Sequence, residues 1–358
     1  MSLDVEFLTE LCLCPAPSGF EAAVQRLLRR RLQTLDGRPA AEADPLGNLW
    51  SSVGPDGGPS VVAVAHADQI GMIVTHVEDA GYLRFAAIGW VDHVLLPGHT
   101  VLVHSAQGPV RGVVGRPPTH IIPEAERGKA VPLLEQFIDI GARDRDDALK
   151  RVAVGDAVTF DAGFHELAPG RYASIAMDNR AGVYAAFRAL ELYASEPGAA
   201  RLTAVSSAHE ETTFMGARAL ARRLQPDCIV VVDGTFTSDY PGVDAAKVSG
   251  EAVLGGGPVV TRGTTTNRRL TALALEVAAG LGIAVQVNAT AGQTLTDADE
   301  MAAAGAAASM VLSIPMRYVH TPAEVLDGAD VEATAVLIAA LARRIGQVFE
   351  PSLFVDSD

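Results

Sequence analysis

Four runs of apolar residues limit what this chain can become: "SVVAVAH" (60–66), "RLTAVSSA" (201–208), "DCIVVVD" (227–233) and "ASMVLSIP" (308–315). A strand with one wet face alternates apolar and polar residues. These runs are apolar almost throughout, so they read as strands of a mostly parallel sheet covered by helices on both faces. Helical stretches separate them: "RAGVYAAFRALELYA", "FMGARALARRL" and the Ala-rich "DVEATAVLIAALARRIGQVF". Two more helices are expected at the start, Val5 to Leu13 and the Arg-rich "EAAVQRLLRRRLQTL". "GIAVQVNA" reads as a further strand, and "EMAAAGAAA" as a packed helix.

Between residues 71 and 170 the texture changes. Short pieces such as "YLRFAAIG", "TVLVHSA", "PVRGVVG" and "DAVTFDAG" alternate with Gly, Pro and Asp turns, and "DDALKRVAVGD" suggests one short helix. With 358 residues the chain also exceeds the size at which one core stops growing. The expected fold is therefore α/β, a mixed, mostly parallel sheet sandwiched by helices, with an inserted small β-rich, barrel-like domain. The main domain would take residues 1–70 and 171–358, and the insert 71–170.

A net charge of −15 and a pI near 5.0 set the surface against nucleic acid and against anionic membranes. Three cysteines without framework spacing, Cys12, Cys14 and Cys228, point to a reducing compartment. The start has no basic stretch followed by a long apolar one, and no run approaches 18 apolar residues. A cytoplasmic protein is expected. No G-x-S-x-G elbow supports a serine hydrolase, and no G-x-x-x-x-G-K-[ST] supports a nucleotide enzyme.

The polar residues gain meaning when set on the strand map. His66 follows the strand at 61–65, Glu210 and Glu211 follow the one at 202–208, Asp233 ends 228–232, and His320 follows 309–314. Ligands of open α/β sheets bind at the carboxyl ends of strands, so four strands deliver His, Glu or Asp to one edge. Asp178, in "MDNRAG", sits where a helix begins. Each has an ordinary reading: His66 a core histidine, Asp178 a helix N-cap, the Glu pair first-turn charge, Asp233 a turn residue, His320 an exposed loop residue. All must hold at once for no site to exist. Together they form an O/N donor set that suits Zn, Co or Mn. Two ions roughly 3.5–4 Å apart would need a bridging carboxylate, and the adjacent acids at 210 and 211 could divide ligation from proton transfer. His76, His93, His99, His104, His120, His165 and His209 lack the strand-end context and read as structural or surface residues.

The ordered series "APSGFE", "AHADQIG", "GVVGRPPTH", "FIDIGARDRDDALKRVAVGD", "MDNRAG", "HEETTFMGARA", "VVDGTF", "LTDADEM" and "IPMRYVHTPAEV" resembles the M42 metallo-aminopeptidases, the TET or glutamyl-aminopeptidase-like peptidases, over nearly the whole chain. The resemblance implies a zinc-peptidase-like main domain and two divalent metal ions per subunit, Zn or Co, with Mn as a third choice. His66 and Asp233 would bind one ion, Glu211 and His320 the other, and Asp178 would bridge. Glu210 would be the general base, and Asp68 would orient the His66 ring. The implied substrates are short peptides with a free amino terminus. The implied insert is a dimerisation domain, with homodimers building a homododecamer. Two departures stand out: Gln69 where the family commonly has Glu, and "EETTFMGA" where "EEVGLRGA" is common. The rival readings are a metal-dependent deacylase on the same site, and a non-catalytic scaffold stapled by metal.

Overall fold

The computed structural model describes residues 2–35, 40–248, 250–305, 307–350 and 352–355. Helix α1 (Val5–Leu13) opens the chain, its first turn capped by Asp4, which accepts the Phe7 amide at 3.1 Å. Helix α2 (Ala22–Thr34) follows, then strands β1 (Ala41–Ala43), β2 (Leu49–Val53) and β3 (Ser60–His66). The chain then leaves the main sheet and forms β4 (Gly71–Val77), β5 (Leu83–Ile88), β6 (Thr100–Ser105), β7 (Gly108–Val114), β8 (Ile138–Asp139), a short helix α3 (Arg145–Leu149) and β9 (Ala157–Phe160). These six strands close into a barrel in the order β4-β5-β8-β7-β6-β9. Its interior is filled by Met72, Val74, Phe85, Val101, Val103 and Val158, among others. The barrel is therefore a packed core and not a channel.

The second half is β10 (His165–Ala168), β11 (Arg171–Ser174), α4 (Met177–Ser195), β12 (Arg201–Ser207), α5 (Met215–Leu224), β13 (Cys228–Phe236), β14 (Val259–Gly263), α6 (Arg268–Leu281), β15 (Gln286–Thr290), α7 (Asp297–Gly305), β16 (Ala308–Arg317), β17 (Glu324–Asp327) and α8 (Gly328–Val348). The main sheet runs β1-β2-β12-β3-β13-β16-β17-β11-β10, with β14 and β15 joined at β16. Its centre is parallel: β3 pairs with β12 and β13, and β13 with β16, all in the same direction. The flanking pairs β2·β12 and β16·β17 are antiparallel.

Side-chain alternation explains the near-continuous apolar runs. Val61, Ala63 and Ala65 of β3, with Val230 and Val232 of β13, face the core built with α1, α2, α4, α6 and α8. Val62 and Val64, with Ile229 and Val231, face the opposite core, closed by α5 and α7. Both faces are dry, so the runs are apolar apart from small buried hydroxyls such as Thr203, Ser206, Ser309 and Ser313. The expected α/β sandwich with a barrel is the fold found. Among the described residues no helix is long and apolar enough to cross a membrane.

Candidate metal centre

The parallel centre of the sheet carries its polar residues to one edge. His66 is the last residue of β3 and lies in register with Ser207 of β12. Asp233 lies within β13, which continues to Phe236, so this aspartate sits inside the strand rather than ending it. Glu210 and Glu211 stand in the turn between β12 and α5, four or more residues ahead of that helix. They are therefore not first-turn acids of α5. Asp178 and Asn179 have non-helical backbone angles, so regular helix starts after them. The capping task falls to Asn179, whose Oδ1 accepts the Gly182 amide at 3.0 Å, and Asp178 is left free to face the site. Gly182 is required there, since a Cβ would come within 2.0 Å of that Oδ1. His320 lies beyond β16 with a left-handed backbone, φ +63°, as does Tyr318 at +59°.

These residues meet. The Nε2 of His66 is 3.3 Å from Asp178 Oδ1, 3.6 Å from Asp233 Oδ1 and 3.9 Å from Glu210 Oε2. The Nε2 of His320 is 3.6 Å from Asp178 Oδ2 and 3.5 Å from Glu211 Oε2. Asp178 thus stands between the two imidazoles, one oxygen toward each. Ligand atoms of His66, Asp178 and Asp233 lie within 4.8 Å of one another, a grouping that can hold a metal ion. Asp178 Oδ1 and Glu211 Oε1 are buried and have no hydrogen-bond partner.

The electrostatics fit the same cargo. Burial pushes Glu210 and Glu211 well above the ordinary carboxylate range, and neighbouring acids, Asp233 for the first and Asp178 for the second, push further. Asp233 is raised by burial against the pull of His66. Asp178 also feels burial, but His66 and His320 outweigh it and hold it low. The same surplus of acid raises His66 despite its burial, chiefly through Glu210. Packed carboxylates with orphaned oxygens are costly without countercharge, and divalent cations are the countercharge this O/N set accepts.

Asp68 differs from expectation in how it acts. His66 Nδ1 lies 3.0 Å from the main-chain carbonyl of Asp68, while the nearer carboxylate oxygen is 3.7 Å away. The carboxylate itself accepts the amides of Glu210, at 3.1 Å, and Glu211, at 3.0 Å. It steadies the turn that bears both acids, because two amides there present donors to the β3 end and the ring presents one to the carbonyl.

Two further acids border the centre without an expected role. Asp297, at the start of α7, accepts the Ser207 hydroxyl at 2.5 Å, and burial outweighs that bond to push it up to about 7. Glu324, at the start of β17, accepts the amides of Asp178 and His320. Both lie within "LTDADEM" and "IPMRYVHTPAEV", but neither ends an apolar run, so no local pattern in the sequence marks them as site residues.

The profile of the M42 glutamyl aminopeptidase family matches residues 47–337. The chain belongs to the M42 family. It is 32% identical to lysyl aminopeptidase from Pyrococcus furiosus over 343 residues, 95% of this chain and 96% of the relative. An aminopeptidase from the archaeon Desulfurococcus kamchatkensis superposes with a TM-score of 0.88 at 30% identity, covering 98% of this chain and 96% of that one. The Pyrococcus horikoshii TET1 peptidase, which can assemble into a tetrahedron or a large octahedral shell, superposes at 0.85 with 28% identity over 94% of this chain and 98% of its own. As an M42 member the chain is a peptidase, and its neighbours are named as aminopeptidases.

Proposed function

We propose that this protein is a dinuclear metal-dependent aminopeptidase that removes amino-terminal residues from short peptides. The placement of Asp178 between two imidazoles is the observation that carries the reading, because one carboxylate shared by two histidines is the arrangement a pair of cations needs. His66 and Asp233 would hold one ion and Glu211 and His320 the other, with Asp178 shared between them. Divalent cations there, Zn or Co, with Mn as the third choice, supply water activation and polarisation of the scissile carbonyl.

The chain's own residues do the rest. Glu210 is not needed as a ligand and stands on the His66 side, 3.9 Å from the ring, where it takes a proton from the attacking water and passes it to the leaving amine. Asp68 fixes the Glu210 and Glu211 backbone, so base and ligand keep their relative placement during turnover. The barrel within 71–170 serves as the dimerisation unit, and the dimers build a homododecamer like shells formed by TET relatives.

Release of amino acids from short peptides with free or acetylated amino termini tests the reading, using protein stripped by chelator and reloaded with Zn, Co or Mn. Single-residue release from free-amine peptides only, dependent on restored metal, is the expected result. Preference for acetylated substrates would make the protein a deacylase. No cleavage with any metal would leave a metal-stapled scaffold.

A further inference from the structure

Glu324 is buried, 2% exposed, and both of its oxygens are engaged. Oε2 accepts the Asp178 amide at 3.0 Å and Oε1 accepts the His320 amide at 2.7 Å. Asp178 is 146 positions away in the chain, at the head of α4, while His320 is only 4 away, in the turn from β16 to β17. The sheet makes the meeting possible. Glu324 pairs with Ser174, the last residue of β11, just before the chain enters α4, and the 318–323 turn folds back over the same point. That turn has two non-glycine residues at positive φ, Tyr318 and His320, a conformation that persists only where the surroundings hold it.

We infer that Glu324 is a positioning residue of the metal centre: one carboxylate binds the backbone of both Asp178 and His320, and so fixes the distance between these two ligand-bearing segments. The inference rests on the proposed ligand roles of Asp178 and His320. Only a carboxylate fits the task. It offers acceptors on both arms of the fork, whereas a glutamine amide offers one acceptor and turns an N–H donor toward the other backbone N–H. Asp68 does the same for Glu210 and Glu211. Two carboxylate forks therefore hold the backbone of four site residues, and neither fork needs to touch a cation.

Asp330 supplies the control. It too is a buried carboxylate that accepts two backbone amides, those of Gly255 and Gly257 at 2.8 Å each, but at the head of α8 and the 255–257 loop. The test is titration of chelator-stripped protein with Co²⁺, followed by visible absorption, for the wild type, Glu324→Gln, Glu324→Asp and Asp330→Asn, with far-UV circular dichroism and Tm on each. Glu324→Gln is expected to bind Co²⁺ about 10–100-fold more weakly and with an altered spectrum. Glu324→Asp, which keeps both acceptors on a shorter arm, should fall between, and decides the matter if the glutamine variant does not fold. Asp330→Asn should lose thermal stability while keeping the wild-type affinity and spectrum. Wild-type Co²⁺ binding in both Glu324 variants would overturn the inference and leave the metal centre intact. An equal loss in Asp330→Asn would reduce Glu324 to general stability. Failure of the wild type to bind Co²⁺ would remove the ligand assignments, and the inference with them.

Discussion

Glu210 and Glu211 are chain neighbours that face different partners, and the turn between β12 and α5 separates them: Glu211 lies against His320, Glu210 against His66. If Glu210 only moves protons, Glu210→Gln should keep its metal and its KM while kcat falls about 10²–10⁴-fold. Glu211→Gln should lose metal as well. Metal content by atomic absorption beside steady-state kinetics checks both, and a Glu210→Gln enzyme with undiminished kcat would strip that residue of its role. Gln69 invites a second substitution. Its Oε1 accepts from Arg180, a fully buried guanidinium whose other hydrogen bonds go to the Leu11 and Cys14 carbonyls, and burial lowers the Arg180 pKa. A carboxylate at 69 would give this cation a countercharge where it now has neutral acceptors. Gln69→Glu should raise Tm, with a gain on the order of 1 kcal/mol in denaturant unfolding; an unchanged or lower Tm would mean the new acid's own burial cancels it. Side chains that face the centre were legible because a His, Asp or Glu at the end of an apolar run is conspicuous. Glu324 and Asp297 were not, since each acts on a partner far off in the sequence, and nothing local says which amide or hydroxyl will fold against a carboxylate.

At the level of elements, the two strands that frame the site are tied beyond their ladder. Arg317, at the end of β16, donates to both oxygens of Asp239, at 3.0 and 2.5 Å, and Tyr318 meets Tyr240 edge to face at 5.2 Å. Asp239 lies just past β13, so the pair braces the segments leading from Asp233 and toward His320. Burial works against the Asp239 charge, but the hydrogen bonds from Arg317 and from the Leu254 amide overcome it and hold the pKa at about 2, against 3.8 for a free aspartate. A folded-state pKa below the unfolded value adds stability above pH 4, and the contribution disappears as pH falls through the lower value. The drop corresponds to about 2 kcal/mol, since each pKa unit is worth about 1.4. Arg317→Met should therefore melt well below the wild type at pH 6 and converge with it toward pH 2; a gap that stays constant with pH would show that packing, not charge, does the bracing. The parallel strands themselves were readable because two dry faces force continuous apolar runs. Closure of the barrel was not, because it depends on β9 pairing with both β4 and β6 and on β8, only two residues long, pairing with β5 and β7. Likewise "DDALKRVAVGD" forms only the five-residue α3, capped by Asp144, before Gly155 turns the chain into β9.

For the whole molecule, the proposed assembly must bring together copies that each carry a net charge of −15. Like-charged bodies repel over about a Debye length, so association needs apolar contact to offset the repulsion and should strengthen as salt screens it. The barrel side of the chain offers such contact. The segment joining β7 to β8 exposes Ile121 at 72% and Leu134 at 88%, and Trp90, just past β5, is 84% exposed. Side chains of this size left open on one copy are the kind an interface covers. Sedimentation of the wild type should show a homo-oligomer whose mass rises from low to moderate ionic strength. The double variant Ile121→Asp, Leu134→Asp adds two charges to an already repelling surface and should sediment as a smaller species with the same far-UV circular dichroism. Because neither position lies in the proposed metal centre, its Co²⁺ binding should match the wild type. If the closed assembly is what restricts entry to short peptides, the smaller species should also gain rate on long unfolded chains relative to dipeptides and tripeptides. A variant that dissociates without that gain would separate assembly from substrate size, and one that keeps the wild-type mass would place the contact elsewhere than on the barrel.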